Sequence, residues 1–166
     1  MKHSAQQDGF TLIELLVVIV IIGILAGVVA AIINPAEYIA QTRDARRISD
    51  LLNVQTSIIG AIANNELQLS DTSTCGDCNS IDSSQTIDGT GWVRFNNVSG
   101  NGLINWIQVL PKDPVNEGAL MFSYYSDGEA FELNAVLESE KYMDYMLSDG
   151  GNDDNVYERG FDLTLN

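Results

Sequence analysis

One unbroken apolar run, residues 15–33, constrains this chain more than any other feature. It consists of Leu, Val, Ile, Ala and two glycines. A bilayer is crossed by about 20 apolar residues in one helix, at about 1.5 Å of rise each, and the run just suffices. Directly ahead of it stands Gly9-Phe10-Thr11-Leu12-Ile13-Glu14. A carboxylate, Glu14, therefore lies within the span. Charge at bilayer depth is expensive, and ionisable residues there point to function. A cleavable secretory signal fits poorly, because its apolar core runs to only about 7–15 residues and carries no carboxylate. A plain anchor helix explains the length, but neither Glu14 nor the Gly9-Phe10 junction.

Once the residues before the span and the span itself are removed, 133 residues remain, enough for one small core. The formal charge of −15 falls mostly after residue 61. Such a domain repels nucleic acid and anionic lipid, so no direct nucleic-acid contact is expected of it. Its plain reading is a solvated acidic face. The two cysteines form a Cys75-Gly76-Asp77-Cys78 run with loop-like flanks. Zinc would need four ligands, and the one histidine, His3, is far off in the head. The pair reads first as a small local disulfide in an exported domain, then as two free thiols, and last as a catalytic dithiol. No enzyme is expected. With no histidine outside the head, triads and histidine bases are absent, and no glycine-rich phosphate loop follows a strand.

Beyond the span, Asn34-Pro35 is expected to kink the helix, since proline removes a backbone donor. Ile48, Leu51, Leu52, Ile58, Ile59 and Ile62 recur every three or four residues and predict an amphipathic continuation to residue 66. The stretch Arg43-Asp44-Ala45-Arg46-Arg47 reads as a solvated face, a lipid headgroup contact or an intersubunit ion-pair site. A helix over residues 10–65 would be about 85 Å long. The remaining residues, 67–166, would form a globular head. Its polar residues 70–90 read as a long surface loop. Trp92-Val93-Arg94-Phe95 reads as a short strand, and residues 102–110 as a short helix before Pro111. A hairpin over residues 120–136 turns at Asp127-Gly128, a two-residue turn signal. Residues 138–146 suggest a helical turn, and residues 161–165 a last strand.

The Gly9-Phe10-Thr11-Leu12-Ile13-Glu14 motif and the helix after it resemble the processing region of type IV pilins and type II secretion pseudopilins. The order from Asp113-Pro114 through the aromatic strand, the Asp-Gly turn and the acidic glycine-rich loop resembles the C-terminal half of major pseudopilins. The resemblance implies an α+β pilin-like fold, a long N-terminal helix packed on a small antiparallel sheet. It further implies a leader over residues 1–9, cleavage by a prepilin peptidase between Gly9 and Phe10, and N-methylation of Phe10. The expected partners are further copies of the chain in a filament, other pilins or pseudopilins, the peptidase, the assembly platform with its ATPase, and membrane lipid. Glu14 would pair with the amine of Phe10 in the same chain or in a neighbouring subunit, and the second, favoured here, would set register. Before assembly the chain would be a single-pass protein of the inner membrane, and afterwards part of a surface or periplasmic filament. The resemblance puts the head outside the cytoplasm. The Lys and Arg bias, with Lys2 before the span and Arg43, Arg46 and Arg47 after it, points the other way.

The acidic loop supplies Asp149, Asn152, Asp153 and Asp154 as oxygen ligands for calcium, although the spacing is not that of an EF-hand. The competing reading is a polar exposed turn. For the whole chain, the reading from a different class is an acidic extracytoplasmic binding domain on a permanent anchor.

Overall fold

A computed structural model of the protein describes residues 9–32, 34–96 and 101–166. Most of the expected leader, residues 1–8, and the end of the expected span, Ile33, lie outside the described residues. The chain divides into two units, residues 1–36 and 37–166. The first holds α1, Leu12–Ile32. Its described side chains are solvent-facing all round, as on a helix that expects an apolar solvent.

A second helix, α2 (Pro35–Ala63), opens with Pro35 at its first position, where a missing N–H costs nothing. It ends in a Schellman turn. Asn65 adopts φ 56°, Glu66 N donates to Ala61 O (2.9 Å) and Asn65 N to Ile62 O (3.0 Å). The buried face of α2 runs Ala40, Asp44, Arg47, Leu51, Val54, Ile58, Ala61. Of the expected stripe, Leu51 and Ile58 lie on this face, while Ile59 is exposed.

The head sheet has the order β1 (Phe122–Ser126), β2 (Phe131–Ala135), β3 (Tyr157–Gly160), antiparallel throughout. The layout is α+β and pilin-like. Phe122 and Tyr124 of β1 and Phe131 and Leu133 of β2 join Leu51, Val54 and Ile58 of α2 in one apolar core. Trp92 plugs this core, 5.9 Å from the Phe122 ring, and its indole N–H donates to Pro111 O (2.9 Å). The β1–β2 loop has four residues, not two. Asp127 Oδ1 accepts from the amides of Glu129 and Ala130, which widens the turn, and Gly128 takes φ 88°. A short helix, α3 (Met143–Ser148), precedes β3.

Three expectations are corrected. Residues 92–95 make only isolated bridges, Thr72 with Phe95 and Thr90 with Arg94, because their side chains are drawn into the core instead of along a ladder. Residues 102–105 form turns without a helix, and Trp106 packs against Gly60 of α2. The last strand is Tyr157–Gly160, not residues 161–165, because pairing with the central strand β2 ends at Gly160.

The arginine-rich stretch is corrected as well. Arg47 is wholly buried, and its guanidinium donates to Asp113 (2.6 and 2.9 Å), Asp44 (2.7 Å) and Glu138 (2.6 Å). Asp44, also buried, accepts from the amides of Glu138 and Ser139 and from the Ser139 hydroxyl. Arg43 grips Glu138 with two bonds of 2.6 Å. Arg46 is the most exposed of the three arginines and lies beside Asp50. Bonds from Arg43 and Arg47 hold the Glu138 carboxyl down at about 2, and Arg47 keeps that of Asp113 low against its burial.

Arg47→Ala leaves buried carboxylates uncompensated and is expected to cost about 3–5 kcal/mol of stability. Denaturant unfolding of the full chain in detergent, followed by tryptophan fluorescence, measures it; a loss under about 1 kcal/mol would contradict the clamp. Because Glu138 titrates lower when folded than when unfolded, its contribution is complete above its ordinary pKa near 4.5. It is lost as pH falls from there toward 2.

Candidate functional site

The chain enters α1 through a capping box. Thr11 precedes the first helical residue, and Glu14 is the third residue of the helix. The Glu14 amide donates to Thr11 Oγ1 (3.3 Å). In return Glu14 Oε2 accepts from the Thr11 amide (2.8 Å) and hydroxyl (2.7 Å). The carboxylate thereby satisfies an amide left open at the helix start. Its second oxygen, Oε1, accepts no hydrogen bond among the described residues. Phe10, Ile13, Val17, Val18 and the aliphatic part of Glu14 line an apolar groove of about 330 Å³. Gly9 and Phe10 lie before the helix and are exposed, Phe10 by 90%. Sequence reasoning singled out Gly9, Phe10 and Glu14 but passed over Thr11, although the Thr-x-x-Glu spacing was there to read.

Cys75 and Cys78 are joined in a disulfide with Cα atoms 5.1 Å apart. It closes a turn on the head and is remote in sequence from the helix entry.

The acidic loop does not bring its four candidates together. Both oxygens of Asp149 are taken by backbone, accepting from the amides of Gly151 (2.9 Å) and Glu158 (2.8 Å). Asp153 Oδ1 binds Asn155, and Asp154 is exposed. Among the described residues no three Asp, Glu, His or Cys side chains gather into a metal cage. What converges is a different set. The Asn152 amide lies 2.9 Å from Glu158 Oε1, 2.9 Å from the Leu163 carbonyl oxygen and 3.0 Å from Asn166 Oδ1. Its nitrogen faces these three oxygens and offers them two hydrogens. Glu158 is fully buried, and a Cβ at Gly151 would collide with its carboxylate. Burial, with the charges of Glu132 and Asp149, pushes the Glu158 carboxyl up to about 7. Glu132, buried on the neighbouring strand, accepts from Asn134 (2.7 Å) and from the Leu165 amide (2.7 Å). Sequence reasoning missed Glu158 because a lone glutamate in a strand carries no local signal of burial.

Residues 4–30 match the family model of the prokaryotic N-terminal methylation motif. The chain thus carries the signature of type IV pilins and pseudopilins, and the motif indicates a structural protein. Neither a curated protein nor a solved structure matches the chain.

Thr11→Val removes the hydroxyl from the capping box and leaves only the backbone bond to Glu14. Amide exchange of residues 12–15 in detergent is expected to rise several-fold, with Thr11→Ser close to wild type. Equal exchange in all three chains would show that the box does not hold the helix start.

Proposed function

We propose that this protein is a structural subunit of a type IV pilus or a type II secretion pseudopilus. In this reading a prepilin peptidase cuts after Gly9 and the new N-terminal Phe10 is methylated. The chain then leaves the inner membrane, through an assembly platform and its ATPase, for a filament built on its N-terminal helix. The observation that carries it is the match of residues 4–30 to the methylation motif, with Glu14 at the mouth of an exposed apolar helix. The apolar face of that helix is stable in lipid beforehand and among sister helices afterwards. The capping box supports a role for Glu14 in register, since it holds one oxygen still and leaves the other for an arriving amine. The head lies outside the cytoplasm in this reading.

Mass spectrometry of the mature chain tests it directly. An N-methylated Phe10 as first residue is expected, and an intact Met1 would favour an acidic binding domain on a permanent anchor. Glu14→Ala is expected to insert normally and to lose most filament yield; wild-type yield would remove its assembly role. Long surface fibres by electron microscopy would indicate a pilus, and their absence a pseudopilus.

We also propose that calcium binds between the acidic loop and the C-terminal tail. The oxygens of Glu158, Asn166 and the Leu163 backbone would hold it in place of the Asn152 amide hydrogens, and the burial of Glu158 favours this reading. Without calcium, the raised Glu158 carboxyl binds a proton in the folded chain that the unfolded chain has released. Stability is therefore expected to fall as pH rises from about 4.5 to 7, and Glu158→Gln to remove that fall. Calcium at pH 7.5 is expected to raise the melting temperature of the wild type but not of Glu158→Gln. Identical wild-type melting with calcium and with chelator would end the proposal.

A further inference from the structure

β1 is an edge strand, yet its free edge is not open. Its outward amides, those of Phe122, Tyr124 and Ser126, donate to Ser80 Oγ (3.0 Å), Cys78 O (2.9 Å) and Thr74 Oγ1 (2.5 Å). The carbonyls of Phe122 and Ser126 accept from the Ser80 amide (2.9 Å) and the Thr74 amide (3.1 Å). Residues 72–80 thus form a strap along the sheet, and two of its three acceptors are side-chain hydroxyls.

The strap does not keep step with the strand. From Ser126 to Tyr124 the strand advances two residues, while from Thr74 to Cys78 the strap spends four. The surplus is the turn through Gly76 and Asp77. The disulfide spans this turn and holds Cys75 and Cys78 with Cα atoms 5.1 Å apart, shorter than the roughly 6.6 Å that two extended residues cover. Between the two cysteines the backbone contributes one weak bond, Cys78 N to Cys75 O at 3.3 Å, while Asp77 O accepts from Asn79 N (2.8 Å) and Ser83 Oγ (2.5 Å) on the far side of the turn. The bond between sulfurs is therefore what keeps the two halves of the strap in register with β1. Cys78 is buried, and Cys75 is partly exposed beside a cavity of about 360 Å³ lined by Thr74, Asn79, Met121 and Tyr125.

We propose that the Cys75–Cys78 disulfide is a redox-sensitive catch that holds the strap of residues 72–80 on the free edge of β1. A dithiol attacks through its thiolate at the partly exposed Cys75 sulfur, the S–S bond breaks, and Cys78 leaves as a thiolate that takes up a proton. The dithiol's second sulfur then displaces Cys75. Two electrons and two protons pass to the protein, and the dithiol becomes a disulfide. With the catch open, the strap loses its register and the amides of β1 reach water, an uncovered edge of the kind that pairs with other chains. The catch depends only on the head geometry and not on the filament reading.

Hydrogen exchange of the full chain in detergent tests it, oxidised and after dithiothreitol, with Cys75→Ser/Cys78→Ser as a second route to the open state. The Tyr124 amide is expected to exchange at least about tenfold faster without the disulfide, a change of about 1.4 kcal/mol in opening free energy. The Leu133 amide, in the middle of the sheet, is expected to stay as protected as before. Unchanged exchange at Tyr124 would overturn the proposal, and so would an equal rise at Leu133, which would mean that the disulfide holds the whole head. Should the double variant fail to fold, reduction of the folded wild type gives the same readout.

Discussion

Arg47 has no exposure to solvent, and three carboxylates from three stretches of chain close on it. Asp44 comes from the preceding turn of α2, Asp113 from the approach to β1, and Glu138 from the exit of β2. The β1–β2 hairpin is thereby tied at both ends to one turn of one helix. With its ends pinned there, the hairpin lies with Phe122 and Leu133 over Leu51, Val54 and Ile58, and the apolar core fills in behind the charges. A buried ion cluster of this kind adds little net stability over an apolar packing of equal volume. Its effect is on the choice of arrangement: any other placement of the hairpin strands a guanidinium or a carboxylate away from water. Asp44 shows how complete the satisfaction is, taking two amides and a hydroxyl besides the arginine.

This clamp was the least legible part of the chain. Arg43, Asp44, Arg46 and Arg47 stand close together in a helix, and charges so placed are ordinarily on the surface. Nothing local says that Asp113 and Glu138, 66 and 91 residues away, will meet Arg47. The central strand hid its chemistry similarly. Glu132 and Asn134 alternate with Phe131 and Leu133, yet the C-terminal tail covers them, and all of β2 is buried. The β-rich residues 92–95 erred the other way, their large side chains serving the core without a partner strand. Legible from the start were the features whose cause is local: the span, the helix-entry motif and the Asp-Gly turn.

The two acidic sites manage burial of charge by different means. At the C-terminal loop Glu158 is enclosed by backbone, Asn152 and the tail, with no Lys or Arg paired to it among the described residues. Its charge is therefore left to a proton, and burial, with the charges of Glu132 and Asp149, raises its pKa accordingly. Arg47 solves the same problem with partners from within the chain. The head thus holds one permanently neutralised cluster on the helix side of the sheet and one conditional cluster near the tail.

Glu14 represents a third solution, and it changes how the helix entry should be understood. A carboxylate at the head of a span need not wait for an amine in order to be tolerated, because Thr11 already gives Oε2 two donors. The unassembled subunit can then reside in lipid with its acid in place. An amine arriving at Oε1 would add to these bonds without displacing them, since Glu14 is exposed. Register in a filament would in that case be set by an added interaction at a carboxylate already fixed in direction. A freely rotating glutamate would pair with an amine over a range of axial positions. One held by Thr11 would accept it over a narrow range, and in the filament proposed above this restriction by the capping box would let a single charge fix the axial position of an incoming chain.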